Sequence, residues 1–578
     1  MAQRKELLKE QTELWQMYEE GIDYQNSLGL RAAIPKHVDF YEGKQWPSPT
    51  ESTKNLPRPV VNIVKMICRS KKSSIMSVPV KLIYKSYSPG TDLERFNSFA
   101  ESVQREIGQN RIDREAIDDA VKKGSFFYHY YWDKNAVSIS GKLEGSVRCE
   151  LIDPLNIFFS NPSKTNEQEQ SWILISSRKD LNEIAELCDS DVRVEELKTD
   201  EGEMTGTNNR EASQKATLLT RYFRKDGEIW CERGTKTLTV NRPFKLCPDY
   251  SYVDNLLSTL KNEPNSNENR EETQNSAENS THIATKFLNK ARRGATLFPI
   301  VCGYYERREG SIYGISEIEG LIPNQKAINF NIAMSLLNAQ QCAWGKYIAL
   351  PNALKGQKIS NTPGQVLIDH SGTGEGIKRM HEEAVSDAPI ALTEALTELT
   401  KTFTGANEII AADKISTNMS GVAIAQLQAQ NEVSLEDLRF NFWEAKRKQG
   451  LVLAQFFRLY YFNREYIKKT VDKDGHECEI CDIFSSKEYE NSIFDVTVEP
   501  VGGTRASIAS DISMLDNCLR NGKISLETYI KSYPDSAINN KQEILRQIEA
   551  EKSSETELLR KELQRYKKSK TGDPVSVI

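Results

Sequence analysis

The sequence predicts an α+β fold, and three observations carry that expectation. Strand-like runs rich in aromatic and β-branched residues mark the first half, at 78–84, 126–132 and 147–152. In the second half apolar residues recur at steps of three and four. Leu392, Leu396, Leu399 and Phe403 form one such stripe; Leu435, Leu438, Phe442, Ala445, Val452, Phe456 and Leu459 form a longer one, interrupted at Gln449. Between the two halves the parts follow an unusual order. A strand at 299–301 leads into a polar-studded helix, a Gly- and Pro-rich β-like stretch, a second helix, a loop and a very long helix ending near Tyr461.

Composition bounds the function. A chain of 578 residues exceeds what one hydrophobic core usually serves, so two or more modules are expected. Apolar residues make up 38%, which suits an extended subunit whose faces are completed by neighbours. The net charge is 76 − 82 = −6, the opposite sign from a tight, sequence-independent DNA binder, which gains affinity by neutralising phosphates. The balance is compatible with a surface that DNA slides past without sticking. The ten cysteines are scattered, the chain starts with a polar Met-Ala-Gln-Arg-Lys-Glu, and no run of about 18 apolar residues occurs. Reduced thiols, no secretion and no membrane partner are the expectation.

The elements follow in order. A helical face carries Leu7, Leu8, Leu14, Trp15 and Tyr18 over residues 6–30, followed by an aromatic turn at 40–47. Pro57 and Pro59 delay the next helix, which Val60, Val64 and Ile67 then define. One helix is expected over 92–123, between the strands. Residues 196–215 and 261–282 are polar insertions, too poor in apolar groups to offset their ordering entropy. Residues 347–350 and 365–368 read as two short apolar strands punctuated by Pro351, Asn352, Gly356, Pro363 and Gly364. Asp474-Gly475 marks a hairpin turn, 494–500 alternates as a strand, and 505–568 is helical with a break at Asn521-Gly522-Lys523.

No catalytic constellation emerges. None of the six histidines stands at metal-ligand spacing from another. Cys478-x-x-Cys481, near His476, lacks a second pair and reads as strand cysteines beside the hairpin. Gly372-Thr373-Gly374-Glu375-Gly376 lacks the Gly-Lys-Ser/Thr ending of a phosphate loop, and Asp472-x-Asp474-Gly475 lacks the remaining ligands of a calcium loop. No enzyme activity and no cofactor are expected.

The order of parts resembles the portal proteins of tailed bacteriophages. Three motifs add to it: Tyr41-x-Gly43-x-Gln45-Trp46 with Pro59-x-x-Asn62, the turn Asp153-Pro154-Leu155-Asn156, and Asn521-Gly522-x-Ile524-Ser525-x-Glu527-Thr528 before Tyr533-Pro534. The resemblance implies a portal fold: an N-terminal region and mixed α/β wing (1–315), a stem helix (316–343), a small β-containing clip (344–385) and a second stem helix (386–404). A channel loop (405–421), a long wing helix (422–462), wing strands (463–504) and an α-helical crown with its tail (505–578) would follow. It implies a non-enzymatic ring of about twelve copies at one capsid vertex of the virion, with heterologous contacts between copies. It further implies double-stranded DNA in the channel, and the large terminase, the major capsid and scaffold proteins and the head–tail adaptor as partners. On this reading Lys414, Ser416, Thr417, Asn418 and Met419 of the loop face DNA. Gln325, Asn329, Asn338 and Gln341 line the channel along the stem, and Tyr347, Asn352, Lys355 and Lys358 dock the terminase. The other reading is an elongated coiled-coil scaffold or adaptor of a virion that does not contact DNA; a DNA-processing enzyme with an unrecognised carboxylate site is a third.

Overall fold

The computed structural model describes residues 2–533, except 189–196, 201–214, 248–293, 344–346, 359–365, 380–387, 405–435, 472–476, 501–504 and scattered gaps of one to three residues. Beyond 533 it describes 544–545, 547–548 and 559–563. Three helices open the chain: α1 (Ala2–Ser27), α2 (Leu30–Glu42) and α3 (Ile63–Met76). The aromatic turn expected at 40–47 is the last turn of α2 and its stop. Gly43, at φ 97, donates its N–H back to Asp39 and Phe40, a left-handed conformation that only glycine adopts without strain. β1 (Val80–Ser86) precedes α4 (Leu93–Ile107) and α5 (Gln109–Lys123). The single helix expected over 92–123 is therefore two, divided at Gly108 with φ 72; the apolar period continues across the break, which is why the pattern read as one.

The chain then forms β2 (Ser125–Asp133) and β3 (Ser146–Ile152), and Asp153 caps a single turn by accepting from Leu155 N at 2.9 Å. β4 (Ile157–Phe159), β5 (Trp172–Asp180), α6 (Leu181–Leu187), β6 (Lys215–Lys225), β7 (Glu228–Gly234), β8 (Thr239–Lys245) and β9 (Ile300–Tyr304) follow. Strands β4 to β8 make a five-stranded antiparallel sheet in sequence order, and β3-β2-β9 a three-stranded one. The latter is buried on both faces. Phe126, Tyr128 and Tyr130 of β2 point into the larger core with α4 and α5, whereas Phe127 points into a second core with Ile157, Ile173 and Tyr222 of the five-stranded sheet. That double burial explains a nearly unbroken aromatic run where a half-exposed strand would alternate.

The second half comprises α7 (Glu317–Ala343), β10 (Tyr347–Ala349), β11 (Ile377–Arg379), α8 (Ala388–Phe403), α9 (Glu436–Tyr460), β12 (Arg464–Val471), β13 (Glu477–Phe484), β14 (Phe494–Pro500), α10 (Arg505–Arg520) and α11 (Leu526–Ser532). β10 pairs with β11, Ile348 opposite Lys378. The strand expected at 365–368 is not the partner: Val366 and Ile368 lie outside any strand and are exposed. The apolar content of 365–368 suggested a strand, but main-chain pairing selects the charged segment 377–379. Of the long helix expected over 422–462, residues 422–435 lie outside the described residues.

Helix α9 is held by its own chain from several sides. Lys446 Nζ lies 2.8 Å from Asp113 Oδ2 on α5, and Asp113 also accepts from Tyr128 and Gln109, each at 2.8 Å. Lys448 reaches Glu167 at 2.8 Å, and Arg439 donates to Ser74 O at 3.3 Å. The Gln455 carboxamide accepts from Thr296 N and Leu297 N at 2.8 and 2.9 Å. At Gly450 an added Cβ would fall 2.6 Å from Val496 Cγ1, so β14 packs directly on the helix backbone. Phe457 and Tyr461 enter an aromatic cluster in which Phe96 stacks on Phe494 (4.2 Å) and Phe99 on Phe484 (3.9 Å), fixing the β12–β13 hairpin to α4. Rings in such offset and edge arrangements contribute beyond their buried area.

Both polar insertions have ordered roots. Ala295 N donates to Leu246 O at 2.9 Å and Ile229 N to Ala295 O at 2.7 Å, so the chain leaves at 247 and returns at 294 beside the same strands. Within 196–215, Asp200 pairs with Arg178 and accepts from Thr217 N at 2.9 Å, and Lys215 already opens β6.

Candidate functional site

The part of the molecule least accounted for by its own core is the pair α7 and α8 with the segment they enclose. Ser316 begins α7, accepting from Ile318 N at 3.1 Å while its hydroxyl points at the end of α5 through Val121 O and Lys122 O. The first half of α7 is built into the body: Ile318, Leu321, Ile322, Gln325, Ile328 and Asn329 are all buried. These positions step by three and four and share one helical face. The same face stays buried as far as Ala333, while Phe330, Met334 and Leu336 are exposed.

The expectation that Gln325 and Asn329 line a channel is overturned. Both are 2% exposed. Gln325 Oε1 accepts from Ile63 N (3.0 Å) and Val64 N (3.3 Å), and Nε2 donates to Val61 O (2.7 Å) and to Asn329 Oδ1 (3.0 Å). Asn329 accepts from Val61 N at 3.3 Å and donates to Gln45 Oε1 at 2.6 Å. The physical reason is the free N–H groups at the start of α3, which need acceptors once buried. Proximity to Ile318, Leu321, Ile322 and Ile328 at helical spacing was the signal that these amides belong to the buried face. Sequence reasoning also missed the roles of Gln45, which donates to Phe40 O at 2.8 Å, and of Asn62, which accepts from Lys65 N at 2.9 Å as the cap of α3. Asn338 is half-buried and not free; Gln341 is in α7, with its side chain outside the described residues.

The enclosed segment holds itself together by polar turns. Gln357 accepts from Ile368 N at 3.1 Å and meets His370 Nε2 at 3.2 Å. The Asp369 carboxylate accepts from Ser371 N and Gly376 N at 2.8 and 2.9 Å, and these hydrogen bonds, the Ser371 side chain first, hold it below the ordinary aspartate range. Tyr347, Lys355 and Lys358 are all exposed, spread along the segment, with Lys355 at φ 36. Asn352 lies outside the described residues, as do Lys414, Ser416, Thr417, Asn418 and Met419.

Helix α8 turns its polar stripe inward. Thr393, Thr397, Thr400 and Thr404 recur at helical spacing, each hydroxyl donating to the carbonyl four residues back at 2.6–2.9 Å. Asn324 of α7 donates to Thr400 Oγ1 at 3.2 Å. The apolar stripe lies about a quarter-turn round the helix: Leu392 is 52% exposed, Leu399 51% and Phe403 84%. A monomer would not leave such a row in water. No helix among the described residues is long and apolar enough to cross a membrane.

A mixed α/β body carrying a protruding helical pair with unburied apolar faces defines an assembly subunit. The family model for the phage P22-like portal protein matches residues 15–498, and the chain belongs to that family. Membership makes it a structural component of a phage, in a family whose members form oligomeric rings at the capsid vertex and associate with capsid and terminase in general. No individually curated protein matches the chain.

Proposed function

We propose that this chain is the subunit of a closed ring of about twelve copies at one capsid vertex, each copy joined to the next by heterologous contacts. The ring is the conduit through which DNA is packaged and ejected. It docks the large terminase during packaging and the head–tail adaptor afterwards, and it meets the major capsid and scaffold proteins at assembly. In this reading α7 and α8 are the stem, residues 344–385 the clip, and 405–421 a channel loop whose Lys414, Ser416, Thr417, Asn418 and Met419 meet DNA. Helix α9 is the wing strut and 505–578 the crown. Tyr347, Asn352, Lys355 and Lys358 remain the proposed terminase contacts, and the free edges of β10 and β11 are short enough to need a neighbour's strand.

The observation that carries the proposal is the outward apolar stripe of α8. Full burial of a Leu or Phe side chain stabilises by about 1.5–3 kcal/mol, so Leu392, Leu399 and Phe403 against the next copy's exposed Phe330 and Met334 supply a repeated interface. Negative-stain imaging of the purified protein tests it: closed rings with a central hole are expected, whereas lone or paired rods sink it. Deleting residues 352–362 tests the docking role separately. Empty shells without packaged DNA are expected; normal packaging removes that assignment. Lys414→Glu should slow packaging or let packaged DNA leak from rings that still assemble.

A further inference from the structure

The amide cluster at the root of α7 sits where the helix leaves the body. Below it, Ile318, Leu321 and Ile322 are core residues; above it Ala333 is the last buried position of that face, and Phe330, Met334 and Leu336 are exposed. Gln325, Asn329 and Gln45 are all buried, and their carboxamides bind one another and the backbone of residues 40 and 61–64. Every donor and acceptor of Gln325 is occupied. Apolar packing tolerates small rotations at little cost, whereas a buried network of directional bonds has one good geometry and leaves stranded polar groups in any other.

We infer that Gln325 and Asn329 are positioning residues that set the angle between the helical pair and the body, and through it the number of subunits that closes the ring. The inference rests on the ring reading above. A closed ring of n copies requires a rotation of 360°/n at each interface, about 30° for twelve. Adding one copy changes that by only about 2°. If the body and the helical pair each contact the neighbour, a tilt of a few degrees between them selects a different n. The joint that fixes this tilt is the place where a buried polar lock has a use that apolar packing lacks. Beside the cluster, Asn324 donates to Thr400 Oγ1 of α8 at 3.2 Å, and Thr400 is already bonded within its own helix.

The test is the copy-number distribution of purified rings, read by native mass spectrometry on the full-length chain. Asn329→Ala removes the bonds to Val61, Gln45 and Gln325 Nε2, while Gln325 Oε1 still caps α3. Gln45→Ala strands one amide of the same joint and perturbs the fold less. Tyr128→Phe, which deletes a buried hydrogen bond to Asp113 far along the sheet, is the control for general destabilisation. The inference expects at least one of the two joint variants to give a shifted or second ring size, or open arcs, from folded protomers. Tyr128→Phe should lower the melting temperature and keep the wild-type count. If both joint variants retain the wild-type distribution, or if Tyr128→Phe shifts it equally, the inference is overturned while the ring reading stands. Wild-type protein that forms no ring overturns the reading itself.

Discussion

Helices α8 and α9 carry nearly the same sequence stripe and meet opposite fates. In α9 the residues Phe442, Ala445, Val452 and Phe456 are buried by the chain's own strands and helices. In α8 the equivalent Leu392, Leu399 and Phe403 stand in solvent, with only Leu396 packed against the core. The polar residues diverge too. Those of α9 are long and reach outward to other elements, Lys446 to α5 and Arg439 to the end of α3. Those of α8 are threonines whose hydroxyls bond within the helix. A three-four stripe thus states that a face wants burial; whether the burying surface belongs to the same chain is told by the polar residues around it.

Substituting rings on the two helices breaks the comparison most sharply. Phe457→Ala in α9 should cost about 3–5 kcal/mol of protomer stability, the usual range for emptying a buried aromatic site. Phe403→Ala in α8 should change it by less than about 0.5 kcal/mol, as at most exposed sites. Urea unfolding at a concentration that disperses the assembly measures both. Equal losses would mean that α8 is held by its own body after all.

Lys446→Met comes next. Removing one partner of a buried pair leaves the other charge stranded, at a cost of about 3 kcal/mol, the low end of the range because Tyr128 and Gln109 still solvate Asp113. Adding Asp113→Leu should recover part of that loss. A double mutant no better than the single would show that the anchor acts by packing alone.

Much of this contrast was legible in the sequence and some was not. The strand at 494–500 and both stripes were readable because each fits a single period, and the run at 126–132 because its aromatic content favours a strand. The break at Gly108 was hidden because the apolar pattern runs through it. Gln325 and Asn329 were assigned to a water-filled surface on polarity alone, although their spacing from Ile318, Leu321 and Ile328 places them on the buried face. The partner of β10 was missed for a different reason. Strand pairing is a backbone property, and Ile377, Lys378 and Arg379 carry little apolar pattern to announce it.

Acid should separate the two regions more gently. Asp118 of α5 bonds Lys72 of α3 at 3.0 Å and Lys122 at 2.5 Å. Burial pushes its carboxyl upward, but the hydrogen bonds and charges of the two lysines outweigh this and hold it below the usual aspartate range. A depressed folded value means stability present above the unfolded range and lost as pH falls through the folded one. Body stability should therefore decline on the acid side, and Asp118→Asn should flatten that limb of a melting-temperature profile. An unchanged limb in the variant assigns the decline elsewhere. The outward stripe of α8, with Leu392, Leu399 and Phe403, offers no group to titrate.

The smallest effect is expected at the polar insertion. Because Leu246 and Ala295 are already hydrogen-bonded neighbours, replacing residues 249–292 by a short Gly/Ser turn should change protomer stability by less than about 0.5 kcal/mol, loop length entering only logarithmically. A large loss would mean that the insertion packs on the body.

The central claim is that α8 saves its apolar face for the next copy. Mass photometry of the wild type beside a Leu399→Asp/Phe403→Asp double variant tests it most directly. The account predicts a closed particle near twelve times 65.7 kDa for the wild type, and folded single chains with an unchanged far-ultraviolet spectrum for the variant, since charged groups on that stripe cannot be buried unpaired. A variant that closes the same ring would contradict it.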